Sequence, residues 1–142
     1  MLSLTTIIDR FRRLDRAAKL DALLAYARKL PPLPEELEAL KAQEVHRVPE
    51  CMTPVYLWAW VKDGQVIIQA DAAPEAPTVR GFLSLVITGL HGATPEDVAR
   101  VPADLLDRLG LTEVLGMTRM QGLSAILGRI KHEVAAGVSQ PS

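Results

Sequence analysis

Apolar residues recur at three- and four-residue spacing in the first third of the chain, switch to alternation in the middle, and return to helical spacing afterwards. Leu4, Ile7, Ile8, Phe11 and Leu14 form one stripe, opposite Asp9, Arg10, Arg12 and Arg13, and predict a first helix. Asp15 is placed to cap a second helix, with Leu20, Leu23, Leu24 and Ala27 as its buried side. Pro31-Pro32 ends it by Leu30. Pro34-Glu35-Glu36 sets a proline and acids in the first turn of a third helix reaching about Gln43. Residues 45–48 read as a short edge strand. The stretches 55–61 and 66–71 flank Lys62-Asp63-Gly64-Gln65, and Asp-Gly between apolar runs signals a hairpin with a type I′ turn. That two-residue loop puts Leu57, Ala59, Val61, Val66, Ile68 and Ala70 on a core face. Tyr56, Trp58 and Trp60 then share the other face with Ile67, Gln69 and Asp71, a face either half covered by a helix or left partly open.

Residues 72–77 form a loop holding two prolines and Glu75, and Pro77 opens a helix to Gly89 that is apolar on nearly every side. Such a helix belongs centrally against the sheet. Thr94-Pro95-Glu96-Asp97 reads as N-cap, first-turn proline and acidic first turn. A short helix from Pro102 stops at Gly110, and Thr118-Arg119-Met120-Gln121 fits a capping box opening a last helix to about Ala135. Its stripe is Leu123, Ile126, Leu127, Ile130 and Val134. Helices, then a small antiparallel sheet, then helices predict one α+β domain over 1–142: N-terminal helices in 1–43, the sheet with a cysteine loop in 44–72, C-terminal helices in 77–136, and a frayed tail in 137–142. No repeat, low-complexity segment or interdomain linker interrupts it.

Composition narrows the function classes. A chain of 142 residues with 49% hydrophobic and 23% charged residues suits one compact core. A net charge of −1 gives no reason to expect a nucleic acid or an anionic membrane as partner. The start lacks the basic and apolar regions of a signal peptide, and residues 82–90, the most apolar helical stretch, are too short to span a bilayer. With one cysteine and hence no internal disulfide, the chain is expected in the cytoplasm.

No Walker loop or Gly-x-Gly-x-x-Gly pattern is present, so nucleotide binding has no support. His46, His91 and His132 are far apart in sequence, which argues against a zinc site. One thiol per chain excludes an iron–sulfur cluster within a monomer and a dithiol cycle. The remaining candidate is Cys51, between Pro49 and Pro54 in Val48-Pro49-Glu50-Cys51-Met52-Thr53-Pro54, a loop ahead of a strand. A solitary loop thiol can take sulfur from another protein and leave with it. Glu50 beside it should raise the thiol pKa, so a cation must compensate; Arg119, Arg80, Arg47 and His46 are the candidates. Composition and spacing alone leave an inert buried thiol equally open, and the Tyr56/Trp58/Trp60 stripe can be a covered sheet face or a docking site.

Five segments in order, RKLPPLPEEL, VYLWAWV behind the cysteine loop, ADAAPEAPTVRG, GLHGATPEDV and TRMQGLSAILGRIK, resemble the SufE family of sulfur-acceptor proteins. The resemblance implies the SufE/IscU-like fold, a three-stranded antiparallel sheet on helices. It also implies a role in iron–sulfur cluster assembly: a SufS-like, pyridoxal-phosphate-dependent cysteine desulfurase passes sulfane sulfur to Cys51. A SufBCD-like scaffold then receives it. By the same similarity Glu75 and Arg119 fall at family positions that affect the cysteine loop or the partner contact. This chain would be a transsulfuration partner with no cofactor of its own beyond a transient persulfide, as a monomer or weak homodimer. Where the family commonly has Gly-Cys-Gln-Ser, this chain has Glu50-Cys51-Met52-Thr53, and loss of that glycine stiffens the loop. Two other classes remain: a non-catalytic module that activates a partner enzyme by binding alone, and a peroxide-reactive thiol.

Overall fold

The computed structural model describes residues 3–137, 139 and 140. Met1 and Leu2, at the head of the start read as lacking a signal pattern, lie outside the described residues, as do 138, 141 and 142 of the expected frayed tail. The described elements are α1 (Leu4–Arg12), α2 (Arg16–Arg28), α3 (Glu35–Ala42), β1 (Val55–Lys62), β2 (Gln65–Ala72), α4 (Pro77–Gly89), α5 (Pro95–Ala99), α6 (Leu105–Arg108), a 3-10 turn (Leu111–Glu113) and α7 (Met117–Ala135). They form a single α+β domain with helices packed on an antiparallel sheet.

Local chemistry sets most of the boundaries. The Asp15 carboxylate accepts from the Ala18 N–H at 2.8 Å and opens α2, as its capping position predicts. Thr94 and Asp97 form a reciprocal capping box, each bond 3.1 Å long, at the head of α5. The box expected at Thr118 does not form. Gly116 is the extended N-cap of α7 and Met117 its first residue, so Thr118 already lies in the first turn. The short helix after Pro102 does end at Gly110, which sits at φ +72°. A Cβ there would also come within 2.4 Å of Nζ of Lys19, a buried ammonium paired with Glu113 at 3.1 Å.

The hairpin takes the expected register. Asp63 and Gly64 both have positive φ (+53° and +77°), Lys62 pairs with Gln65, and Trp58 pairs with Gln69. Its core face meets the helical core around α4, whose Val79, Phe82, Leu83, Leu85 and Val86 are buried on nearly all sides. Close packing of α2 on α4 depends on Gly81, where a Cβ would lie 2.2 Å from the Leu23 carbonyl oxygen. The aromatic face is covered: Tyr56 and Trp58 are buried with Leu33 and Leu37, and only Trp60 stays half-buried. Asp71 ties this face to two helices, accepting from Lys41 of α3 at 2.6 Å and Arg80 of α4 at 2.9 Å.

The sheet has two strands, not three. The expected edge strand at 45–48 is reduced to one bridge, Arg47 to Tyr56, with bonds from the Leu57 N–H to the His46 carbonyl (3.1 Å) and the Val48 N–H to the Val55 carbonyl (2.8 Å). The reason is local: Glu44 and His46 have φ of +60° and +63°, a left-handed conformation incompatible with an extended strand. Beyond the bridge, the Ala59 N–H donates to the Glu133 carboxylate of α7 at 3.0 Å instead of to a third strand. Among the described residues, no helix is long and apolar enough to cross a membrane.

Candidate functional site

Cys51 sits in the excursion between the Arg47 bridge and β1. Its N–H donates to the Val48 carbonyl at 3.3 Å, closing a turn, while the prolines at 49 and 54 restrict the chain on either side. The residue is 8% exposed, and its Sγ–H donates to the Gly122 carbonyl of α7 at 3.5 Å. A Cβ at position 122 would lie 3.4 Å from Sγ, in ordinary van der Waals contact with it.

Beside the thiol lies a cavity of about 560 Å³, with Cys51, Met52 and Thr53 on one wall and Met117, Arg119 and Leu123 among the residues on the other. Its rim is apolar and open to solvent, with Met52 82% and Met117 77% exposed. Large exposed apolar side chains at a pocket mouth suit contact with another surface better than with water. Burial pushes the Cys51 thiol above its ordinary pKa, and Glu50 pushes it further; Arg119 opposes both. At rest and neutral pH the group is therefore a protonated, weakly nucleophilic thiol.

Of the cations considered for Cys51, Arg119 alone shares its pocket. It has no ion-pair partner among the described residues. Arg80 is held by Asp71 and by the Ala72 carbonyl at 2.6 Å, and Arg47 pairs with Glu44 at 3.3 Å. His46 stacks on Trp58, with ring centroids 5.7 Å apart, and its Nδ1 lies 3.1 Å from the Glu133 carboxylate. Glu75 is exposed on the loop between β2 and α4 and makes no ion pair among the described residues. The structure thus brings Cys51 and Arg119 together and leaves Glu75, Arg80 and His46 outside that pocket. Sequence reasoning missed Met117, Gly122 and Glu133. The first two stand two before and three after Arg119, within reach of an argument from helical geometry; Glu133 contacts residues 74 and 87 positions away and leaves no local signal. No group of three His, Cys, Asp or Glu side chains among the described residues is arranged to hold a metal ion.

Fold and site together define a small α+β domain built around one pocketed thiol. The chain belongs to the SufE family: the model of the SufE "Fe-S metabolism associated domain" matches residues 5–134. A SufE-like protein of Mycobacterium tuberculosis is 37% identical over 132 residues, which span 92% of this chain and 90% of its own. The sulfur acceptor protein CsdE of Escherichia coli is 32% identical over 106 residues, 73% of this chain and 68% of that protein. The solution structure of a hypothetical protein from Thermus thermophilus superposes with a TM-score of 0.82 at 34% identity, over 96% of this chain and 98% of that one.

Proposed function

We propose that this protein is the sulfur acceptor of a cysteine desulfurase, carrying sulfane sulfur as a persulfide on Cys51 and passing it to an iron–sulfur assembly scaffold. The observation that carries this reading is the placement of the chain's single thiol in an apolar-rimmed pocket with a guanidinium that has no ion-pair partner among the described residues. Membership of the SufE family and similarity to a protein named a sulfur acceptor support it.

The chemistry balances without an oxidant. As the loop opens, Cys51 loses its proton to solvent and Arg119 stabilises the thiolate. The thiolate attacks the outer sulfur of the donor's cysteine persulfide, a new S–S bond forms, and the donor's S–S bond breaks. The donor cysteine leaves as a thiolate and is reprotonated, while Cys51 keeps a terminal S–H. A second thiolate on the acceptor repeats the exchange and restores the Cys51 thiol. Resting burial keeps the unloaded thiol protonated and slow toward peroxide, which weighs against a peroxide-sensing role.

Incubation with a desulfurase, pyridoxal phosphate and cysteine, without reductant, should add one sulfur atom by intact mass, and Cys51→Ser should abolish the gain. No gain in the wild type beside an active cognate desulfurase would overturn the proposal. The alternative of a module acting by binding alone leaned on the aromatic stripe, but burial of Tyr56 and Trp58 removes most of that stripe from the surface.

A further inference from the structure

The root of the Cys51 loop is gripped at one residue from three sides. The His46 carbonyl accepts from the Leu57 N–H of β1 at 3.1 Å, its ring lies on Trp58, and its Nδ1 meets the Glu133 carboxylate at 3.1 Å. Glu133, only 12% exposed at its side chain, also takes the Ala59 N–H at 3.0 Å and Arg129 Nε at 3.3 Å. A single carboxylate therefore finishes the edge of β1 and holds the segment that leads to the thiol. His46 is kept at φ +63° and Glu44 at +60°, conformations that L-residues with side chains adopt only at a free-energy cost. At Glu44 the end of α3 supplies the reason, since the Glu44 N–H donates to the Lys41 carbonyl at 2.9 Å and the Val45 N–H to the Leu40 carbonyl at 3.0 Å; at His46 the conformation is held by the Leu57 bond and the side-chain grip. Helix α7 spans both ends of this arrangement: Glu133 holds the root, and about 16 Å back along the helix Gly122 receives the thiol.

We infer that His46 and Glu133 form a latch that positions the thiol: with it closed, motion is limited to residues 49–54, and with it open, the chain hinges at His46 and the whole 46–54 segment can carry Cys51 out of its pocket. Neither residue touches sulfur; both act through the loop. The inference rests on the proposed sulfur-acceptor function only for its consequence in transfer, since the latch itself is a property of the free protein.

His46→Asn is the informative variant, because asparagine tolerates the left-handed conformation yet is too short to reproduce the ring's reach to Glu133 and its stacking on Trp58. Iodoacetamide should alkylate Cys51 about tenfold faster in this variant, the scale expected from losing one charge-assisted bond. The excess rate should be independent of low urea, as a local opening requires. Amide exchange should rise at Val48 and Cys51 while the α2 and α4 amides stay unchanged. Glu133→Gln, which keeps an oxygen for the Ala59 N–H, should move both readouts in the same direction by less. An alkylation rate equal to wild type, or one that rises only in step with global unfolding as urea increases, would overturn the latch. Loading from a desulfurase is scored separately: faster alkylation beside absent loading in both proteins would leave the latch standing and remove the sulfur-acceptor function.

Discussion

Asp71 and Cys51 lie at the same open end of the hairpin, and each is an acidic group with positive charge nearby. Burial alone would raise Asp71, but hydrogen bonds from Lys41 and Arg80 outweigh it and hold the carboxyl below its ordinary pKa. At Cys51 burial wins: Glu50 adds to it, and one guanidinium at a distance does not reverse it. The difference lies in hydrogen bonding. Asp71 receives direct donors from two helices and braces α3 and α4 against the sheet, whereas among the described residues the Cys51 sulfur bonds only the Gly122 carbonyl and shares its pocket with Arg119 without a bond to it. A charge met by direct donors braces the fold, whereas burial keeps the Cys51 thiol neutral.

Four experiments test that contrast. The largest effect belongs to Cys51→Ser, which should abolish sulfur gain by intact mass while shifting the urea midpoint only slightly, since the side chains are nearly isosteric. Next is Asp71→Ala, which strands two half-buried cations and should lower unfolding stability by about 3 kcal/mol in urea titration; a loss under about 1 kcal/mol would mean that the bridge is not a brace.

The acid limb gives a third test. With a folded pKa held below the ordinary 3.8, Asp71 contributes stability that is fully present above that value and lost as pH falls through the folded pKa. Asp71→Asn should accordingly flatten the decline of stability below about pH 4, read by urea titration at several pH values.

The smallest effects should be opposite in sign. Cys51 alkylation in wild type should climb with pH above 9, because its thiol lies above the ordinary 9.0. Glu50→Gln should move the midpoint down and speed alkylation at pH 8, and Arg119→Gln should move it up and slow it, each by roughly threefold. Equal midpoints in all three proteins would show that burial alone sets the thiol.

The helices and the hairpin are legible in the chain alone, because their signals are short-range. Asp15 caps α2, Pro77 starts α4, and Asp63-Gly64 turns the chain within two residues. The sole thiol between two prolines made Cys51 legible as the candidate site in the same way. Which partners meet was set by the packing of remote elements. It reduced the expected third strand to the single Arg47 bridge beside His46, whose left-handed conformation accompanies contacts with Trp58 and a carboxylate 87 residues away. It assigned Arg80 to Asp71 and left Arg119 in the pocket of the thiol, although the residues alone offer both as candidates. Periodicity and capping are read over one or two turns of chain, whereas ion pairs and pocket walls depend on distances that close only when remote elements pack.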